Sequence, residues 1–289
     1  MTKLAELRAW GKNVLKTSLI ENYAHEADIL LMDTLNLDKN SLLTKGDFEP
    51  SADLIEKFKQ SISKRSAHMP LQYVVGRWEF MALEFNLGEG NVLIPRSDTE
   101  ILVQTIMAEE AAGARGFEIG LGSGCISIAL EYHGQMVMTG VEICPQALEV
   151  AKANHESIFK RPSRFFLSDL FDNVPQGATF DFIVSNPPYI TDGELAGLHK
   201  SVKDYEPHLA LNGGEDGLDF YKRIVAVAGQ YLVPNGGIYF EIGSKQAEDV
   251  KQILYRSGFY DIDIIKDLAG FDRVISARWG DWWVAGLKK

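Results

Sequence analysis

The chain has 289 residues, 46% of them apolar, 24% charged and 10% aromatic, a globular composition that excludes a disordered chain. Twenty-nine basic side chains against forty acidic ones leave a net charge of −11. Residues 1–75 carry ten of each sign, so the whole −11 falls on 76–289; this speaks against sequence-independent binding to a nucleic-acid backbone, which needs clustered Lys and Arg.

No apolar run approaches the ~20 residues of a membrane helix. The first twenty residues read as a charged amphipathic helix without the apolar core of a signal peptide. Cys125 and Cys144 make no disulfide framework, and the six His lack metal-binding spacing. The expectation is a cytoplasmic protein with reduced thiols and no metal.

Residues 1–70 are expected to form a small helical domain. Ala27, Leu30, Leu31 and Leu35 share one helical face, and Ile55, Phe58 and Ile62 share another. Ser51 is a good N-cap ahead of Asp53, and Pro70 stops that helix. Across 71–95 the period changes to two. Trp78, Phe80 and Ala82 alternate, then Leu83, Phe85 and Leu87, which predicts a β-hairpin connector. Ser97-Asp98-Thr99-Glu100 reads as a capping box opening a third region, 96–289. There, apolar runs at 117–119, 136–141, 165–167, 180–184, 237–242, 259–265 and 273–277 alternate with helical segments at 124–132, 145–156, 216–231 and 245–256. The predicted fold class is α/β, a doubly wound seven-stranded Rossmann-like parallel sheet covered by helices on both faces. Trp282 and Trp283 in the tail are expected to pack back on the domain or on a partner.

Gly120-Leu121-Gly122-Ser123-Gly124 joins the first strand to the first helix, where open α/β sheets bind ligands. Eighteen residues beyond Gly124 stands Glu142, at the end of the second strand, where a carboxylate can accept from both hydroxyls of a ribose. A dinucleotide site would want a third glycine at the position of Cys125. The loop has no basic residue to neutralise a pyrophosphate. Glu118, just before it, suits a cationic amino-acid moiety such as that of S-adenosylmethionine. A structural turn is the plainer alternative for the loop taken alone.

The fourth strand runs into Asn186-Pro187-Pro188-Tyr189. Two prolines cannot continue a ladder, and they hold the backbone rigid. The Asn186 side-chain oxygen and the freed Pro187 carbonyl can accept the two protons of a planar NH₂ group. They would stabilise the charge that its nitrogen gains on methylation. Tyr189 can pack on the planar group. An in-line displacement of this kind needs positioning and no covalent intermediate.

With these motifs in this order the chain resembles the class I adenosylmethionine-dependent amino-methyltransferases, and more closely the HemK/PrmC glutamine methyltransferases. The resemblance extends over Pro70–Gly76, Leu93–Arg96 with Thr99-Glu100, Ser168–Phe171, Tyr205-Glu206-Pro207, Gly213–Leu218 and Glu241-Ile242-Gly243. It implies a helical domain that docks the protein substrate. It also implies methylation, from S-adenosylmethionine, of the glutamine in the Gly-Gly-Gln loop of peptide chain release factors. Carried over by residue, it implies that Gly120–Gly124 and Glu142 hold the amino-acid and ribose parts of the cofactor, with Asn186 also near the cofactor. Asp169 and Leu170 would flank the adenine, and Asn186–Tyr189 would bind the glutamine amide. Ser97-Asp98 replaces the family's usual Pro-Glu, Glu118 its common Asp, and Leu170 a frequent aromatic.

Three alternatives remain: a glutamine methyltransferase for a ribosomal protein, an adenine methyltransferase for nucleic acid, and a non-catalytic adaptor. The acidic catalytic region disfavours the second, and intact Gly122, Glu142 and Asn186 disfavour the third. No nucleic-acid or membrane partner is expected, and the enzyme is expected to be a monomer. The −11 should steer a partner that itself binds RNA, so complex formation should weaken with salt.

Overall fold

A computed structural model describes residues 2–280, so the expected packing of Trp282 and Trp283 lies outside the described residues. The first 75 residues form helices Leu4–Thr17, Tyr23–Leu35, Lys39–Thr44, Ala52–Ser66 and Leu71–Val75. Ala27, Leu30, Leu31, Phe58 and Ile62 are buried between them, while Leu35 and Ile55 sit half-buried at the edge of that core. Gly11 lets two helices approach closely, since a Cβ there would lie 2.7 Å from Phe58 Cζ. Ser51 caps its helix as expected, accepting from the Leu54 N–H at 3.4 Å. Among the described residues, chain contacts gather those up to Arg77 with His199–Tyr205 into one unit, and Trp78–Leu198 with 206–280 into a second.

The hairpin strands are Arg77–Phe80 and Leu83–Asn86. Met81 and Ala82 between them have φ of 50° and 59°. These are the left-handed values that a two-residue turn matching strand twist requires. Neither residue is glycine, so the turn carries strain. Two bonds hold it: the Met81 N–H donates to Glu100 Oε1 at 3.1 Å, and His133 Nε2 donates to the Met81 carbonyl at 2.8 Å. This corrects the capping-box expectation. Glu100 is claimed by Met81, and Asp98, the N-cap of helix Thr99–Glu109, makes no side-chain cap bond.

All seven expected sheet strands form: β1 (Arg115–Ile119), β2 (Val137–Glu142), β3 (Phe165–Leu167), β4 (Phe180–Ser185), β5 (Leu232–Glu241), β6 (Phe259–Lys266) and β7 (Asp272–Trp279). Their order is β3-β2-β1-β4-β5-β7-β6. All pairings out to β5 are parallel, whereas β7 runs antiparallel to β5 and β6. The expected sheet was parallel, and the antiparallel course of β7 is the one departure from it. The five residues between β6 and β7 are too few for a crossover, which takes about a dozen, so the chain must turn back.

Side chains alternate across the sheet. Phe182 and Val184 of β4 join a core with helices Thr99–Glu109, Cys125–Gly134 and Pro145–Phe159; Ile183 joins the other, with Asp219–Ala228 and Ala247–Arg256. Each fully buried side chain of this size contributes about 1.5–3 kcal/mol. The sheet is therefore doubly wound. From β1 the chain steps outward through β2 to β3, then returns to the far side of β1 for β4 and β5. The reversal falls between β1 and β4, and an open α/β sheet offers its crevice there.

Candidate active site

Register puts the site residues on one sheet edge. Ile119 pairs with Val141 of β2 and with Ser185 of β4, and Ser185 pairs with Phe240 of β5. The next residues along, Gly120, Glu142, Asn186 and Glu241, therefore emerge side by side. Ser185 Oγ donates to the Ile119 carbonyl at 2.7 Å and ties the two central strand ends together. A cavity of about 290 Å³ opens at this edge.

Gly120, Leu121, Gly122, Ser123, Glu142, Asp169, Leu170, Asn186, Pro187 and Pro188 line the cavity. Gly124 and Tyr189 do not. Gly124 is the N-cap of helix Cys125–Gly134 with φ of 78°. Gly120 and Gly122 have φ of 79° and 52°. A run of left-handed positions like this one calls for glycine. Tyr189 packs against the core, with its hydroxyl donating to Glu241 Oε1 at 3.5 Å. Burial pushes its pKa up, with the Glu241 charge adding to the shift.

Three carboxylates at this edge differ in what surrounds them. Glu142 accepts the Gly122 N–H through Oε2 and the Ile143 and Cys144 N–H groups through Oε1, each at 2.9 Å. Of roughly four lone-pair positions, one on Oε2 is left for a ligand. Glu118 is fully buried. Its Oε2 accepts the Ser127 N–H at 2.9 Å, and its Oε1 has no partner among the described residues. Burial pushes this carboxyl up to about 8, the Ser127 bonds opposing and the Glu142 charge adding. Glu241, 2% exposed, accepts the Thr99 hydroxyl at 2.6 Å. Burial raises it to about 7, against the pull of that bond and of Arg273. Burial also pushes the Cys125 thiol up to about 12, so this cavity-lining sulfur stays neutral.

Asn186 Nδ2 donates to Thr99 Oγ1 at 3.4 Å. Among the described residues nothing donates to Asn186 Oδ1 or to the Pro187 carbonyl. Asp169 is held in a fork by Arg223 Nη2, 2.9 Å from each carboxylate oxygen. Leu170 beside it has a left-handed φ of 47°. Arg223 and Phe220 line the cavity too, with the Arg223 guanidinium 5.8 Å from the Phe220 ring. So do Arg96, which pairs with Glu206, and Leu209. The sequence reading missed Phe220, Arg223, Thr99 and Glu241 as site residues. For Phe220 and Arg223 the only signal is a meeting in space of segments far apart in the chain, whereas Thr99 and Glu241 fall within the motifs of the family resemblance.

The class follows from the fold and the edge it builds. Residues 96–272 match the family model of the methyltransferase small domain, and residues 6–76 match that of the PrmC N-terminal domain. The chain is 38% identical over 270 residues to the release factor glutamine methyltransferase of Clostridium acetobutylicum, covering 92% of this chain and 94% of that one. It is 39% identical over 274 residues to the release factor glutamine methyltransferase of Geobacter sulfurreducens, covering 94% and 95%. The solved structure of SMU.776 complexed with SAH is 13% identical, has a TM-score of 0.51 and covers 70% of this chain and 56% of that one, sharing the fold. This chain belongs to the release factor glutamine methyltransferase family.

Proposed function

We propose that the protein transfers a methyl group from S-adenosylmethionine to the side-chain amide nitrogen of the glutamine in the Gly-Gly-Gln motif of peptide chain release factors. One observation carries the reading. Two acceptors with no donor among the described residues, Asn186 Oδ1 and the Pro187 carbonyl, sit on the same cavity as a buried carboxylate oxygen without a partner, Glu118 Oε1. The first pair suits the two protons of an amide NH₂, and the third suits a cation.

The residues fit S-adenosylmethionine, which when bound supplies an activated methyl group on sulfur. Glu118 would meet its ammonium, with Gly120–Gly124 giving backbone room and the free lone pair of Glu142 taking a ribose hydroxyl. Asp169 and Leu170 would flank the adenine, and Phe220 offers the aromatic face that Leu170 lacks. At the acceptor end, Asn186 and Pro187 accept from the glutamine NH₂ and fix its plane. As the nitrogen lone pair takes the methyl, with sulfur keeping the electron pair of the broken S–C bond, the nitrogen would become positive, both hydrogen bonds would strengthen, and one N–H proton would then pass to water. Stabilisation realised only as charge develops is what lowers a barrier. Pro188 stiffens the loop, and Tyr189 supports it from the core side.

We assign the helical region 1–70 to docking the protein substrate and residues 71–95, whose hairpin spans only Arg77–Asn86 and follows the short helix Leu71–Val75, to connecting it with the 96–289 catalytic region. Translation factors as acceptors support action in the cytoplasm. No helix among the described residues is long and apolar enough to cross a membrane. The test is mass spectrometry of a release factor treated with the enzyme and S-adenosylmethionine. The Gly-Gly-Gln glutamine should gain one methyl. Methylation confined to a ribosomal protein or to duplex DNA in parallel reactions would refute the reading.

A further inference from the structure

The amide of Asn186 has two ends of nearly equal shape and opposite hydrogen-bonding character. Turned one way, it offers an acceptor to an incoming NH₂ group; turned the other way, it offers a donor and repels it. The fold therefore has to decide between two orientations that differ little in shape.

Two buried residues make that decision. Thr99, the first residue of its helix, and Glu241, the last of β5, are each 2% exposed and stand 142 positions apart. The Thr99 hydroxyl donates to Glu241 Oε2 at 2.6 Å. A short bond to a carboxylate is about twice as strong as one between neutral groups. It commits the single hydroxyl proton. Thr99 Oγ1 then has only lone pairs to offer Asn186, and a lone pair accepts from Nδ2 while repelling Oδ1. The 3.4 Å contact from Asn186 Nδ2 has the required polarity. The other carboxylate oxygen, Oε1, takes the Tyr189 hydroxyl, so one carboxylate bears on both ends of the Asn-Pro-Pro-Tyr segment.

We propose that Thr99 and Glu241 are positioning residues for methyl transfer: by claiming the Thr99 proton, Glu241 forces the Asn186 amide to turn its oxygen toward the acceptor. The proposal rests on the reading of Asn186 as the group that binds the acceptor NH₂. It assigns Thr99 and Glu241 no contact with the acceptor nitrogen and no proton transfer.

The test compares Thr99→Val, Thr99→Ser and Asn186→Ala, measuring kcat on a release factor at saturating S-adenosylmethionine and the Kd of S-adenosylhomocysteine. Valine keeps the shape of threonine but can neither donate nor accept. Thr99→Val should lower kcat by about 10- to 100-fold, less than the roughly hundredfold or more lost with a group that itself contacts the transition state, with Kd within about threefold of the parent. Thr99→Ser keeps the hydroxyl and should recover at least about tenfold of that loss, a rescue that packing alone would not give. The proposal is overturned if Thr99→Val keeps kcat within about threefold, or if Thr99→Ser loses as much as Thr99→Val. Asn186→Ala separates the two ideas. If it retains turnover, the reading of Asn186 falls; if it loses turnover while Thr99→Val does not, only the relay falls. Should Thr99→Val fail to fold, Glu241→Leu carries the test, because leucine is of similar size and cannot claim the threonine proton. A drop of about tenfold in kcat supports the relay there, and an unchanged kcat overturns it.

Discussion

Glu118→Gln probes whether the buried carboxyl meets the charged end of the cofactor. In the free protein this group is pushed up to about 8 from an ordinary 4.5, chiefly by burial. It must ionise to pair with an ammonium. The ionised fraction is about one in ten at pH 7 and about one in a hundred at pH 6. Affinity for S-adenosylhomocysteine should therefore rise about tenfold per unit from pH 6 to 7.5. That window lies below the titration of a ligand α-amino group, near about 8. Titration calorimetry in buffers of different ionisation heat should report about one proton released per binding event at pH 7. Glutamine keeps the size and can still accept the Ser127 N–H, but it has no proton to release. Its profile should be flat, with weaker binding at pH 7.5. Folding follows the same linkage with a definite sign. The folded state holds a proton that the unfolded chain has lost, so Glu118 lowers stability as pH rises from about 4.5 to about 8, and the variant should abolish that fall. A flat affinity profile in the parent protein, or an equal slope in the variant, would refute the reasoning.

Asn186→Ala should cut methyl transfer by about a hundredfold or more, as for a lost transition-state contact, while equilibrium dialysis finds S-adenosylhomocysteine binding nearly unchanged. Gly213→Ala should lower kcat more than cofactor affinity. Its Cβ would lie 2.8 Å from the Pro188 carbonyl oxygen and from Tyr189 Cα, backbone atoms that cannot yield without shifting the motif; steady-state kinetics with both substrates checks it. Glu131 is buried with His155 at 2.7 Å and Arg161 at 3.1 Å. Burial pulls its carboxyl upward, but those bonds outweigh burial and hold it below 4.5. Its contribution is present above about 4.5 and lost as pH falls through the lowered value. Glu131→Gln should therefore lower Tm at pH 7, and the gap to the parent protein should close in acid.

Elements whose signal is local were legible in the sequence. All seven strands overlap or adjoin the apolar runs; the five parallel ones do so because a buried parallel strand is a short apolar run between turn residues. The glycine loop and Asn186–Tyr189 were legible because each motif is contiguous. The antiparallel course of β7 was missed, although the spacing of the last two runs, 259–265 and 273–277, already excluded a crossover. The capping box failed for a different reason. The Ser97…Glu100 spacing is right, but Met81, nineteen positions away, competes for the Glu100 carboxylate and wins. Thr99 with Glu241, and Asp169 with Arg223, stand 142 and 54 positions apart, and no period links them. Only the tertiary fold, strand ends and the helices packed beside them, brings such pairs to one edge.

That edge also shows why sequence similarity among its carboxylates says little about their tasks. Glu118, Glu142 and Glu241 all emerge at or beside neighbouring strand ends, and all are at least nine-tenths buried. They differ in donors supplied. Glu142 receives three backbone N–H groups, so it is satisfied as an anion and keeps one lone pair for a neutral hydroxyl. Glu241 receives Thr99 and Tyr189 with Arg273 nearby, so its charge turns inward to orient the acceptor loop. Glu118 receives one N–H and leaves an oxygen bare on the cavity. A bare buried carboxylate is costly until a cation arrives. The group least satisfied by the protein is therefore the one with most to gain from a cationic cofactor. Supplying it with a second protein donor should weaken that cofactor's binding.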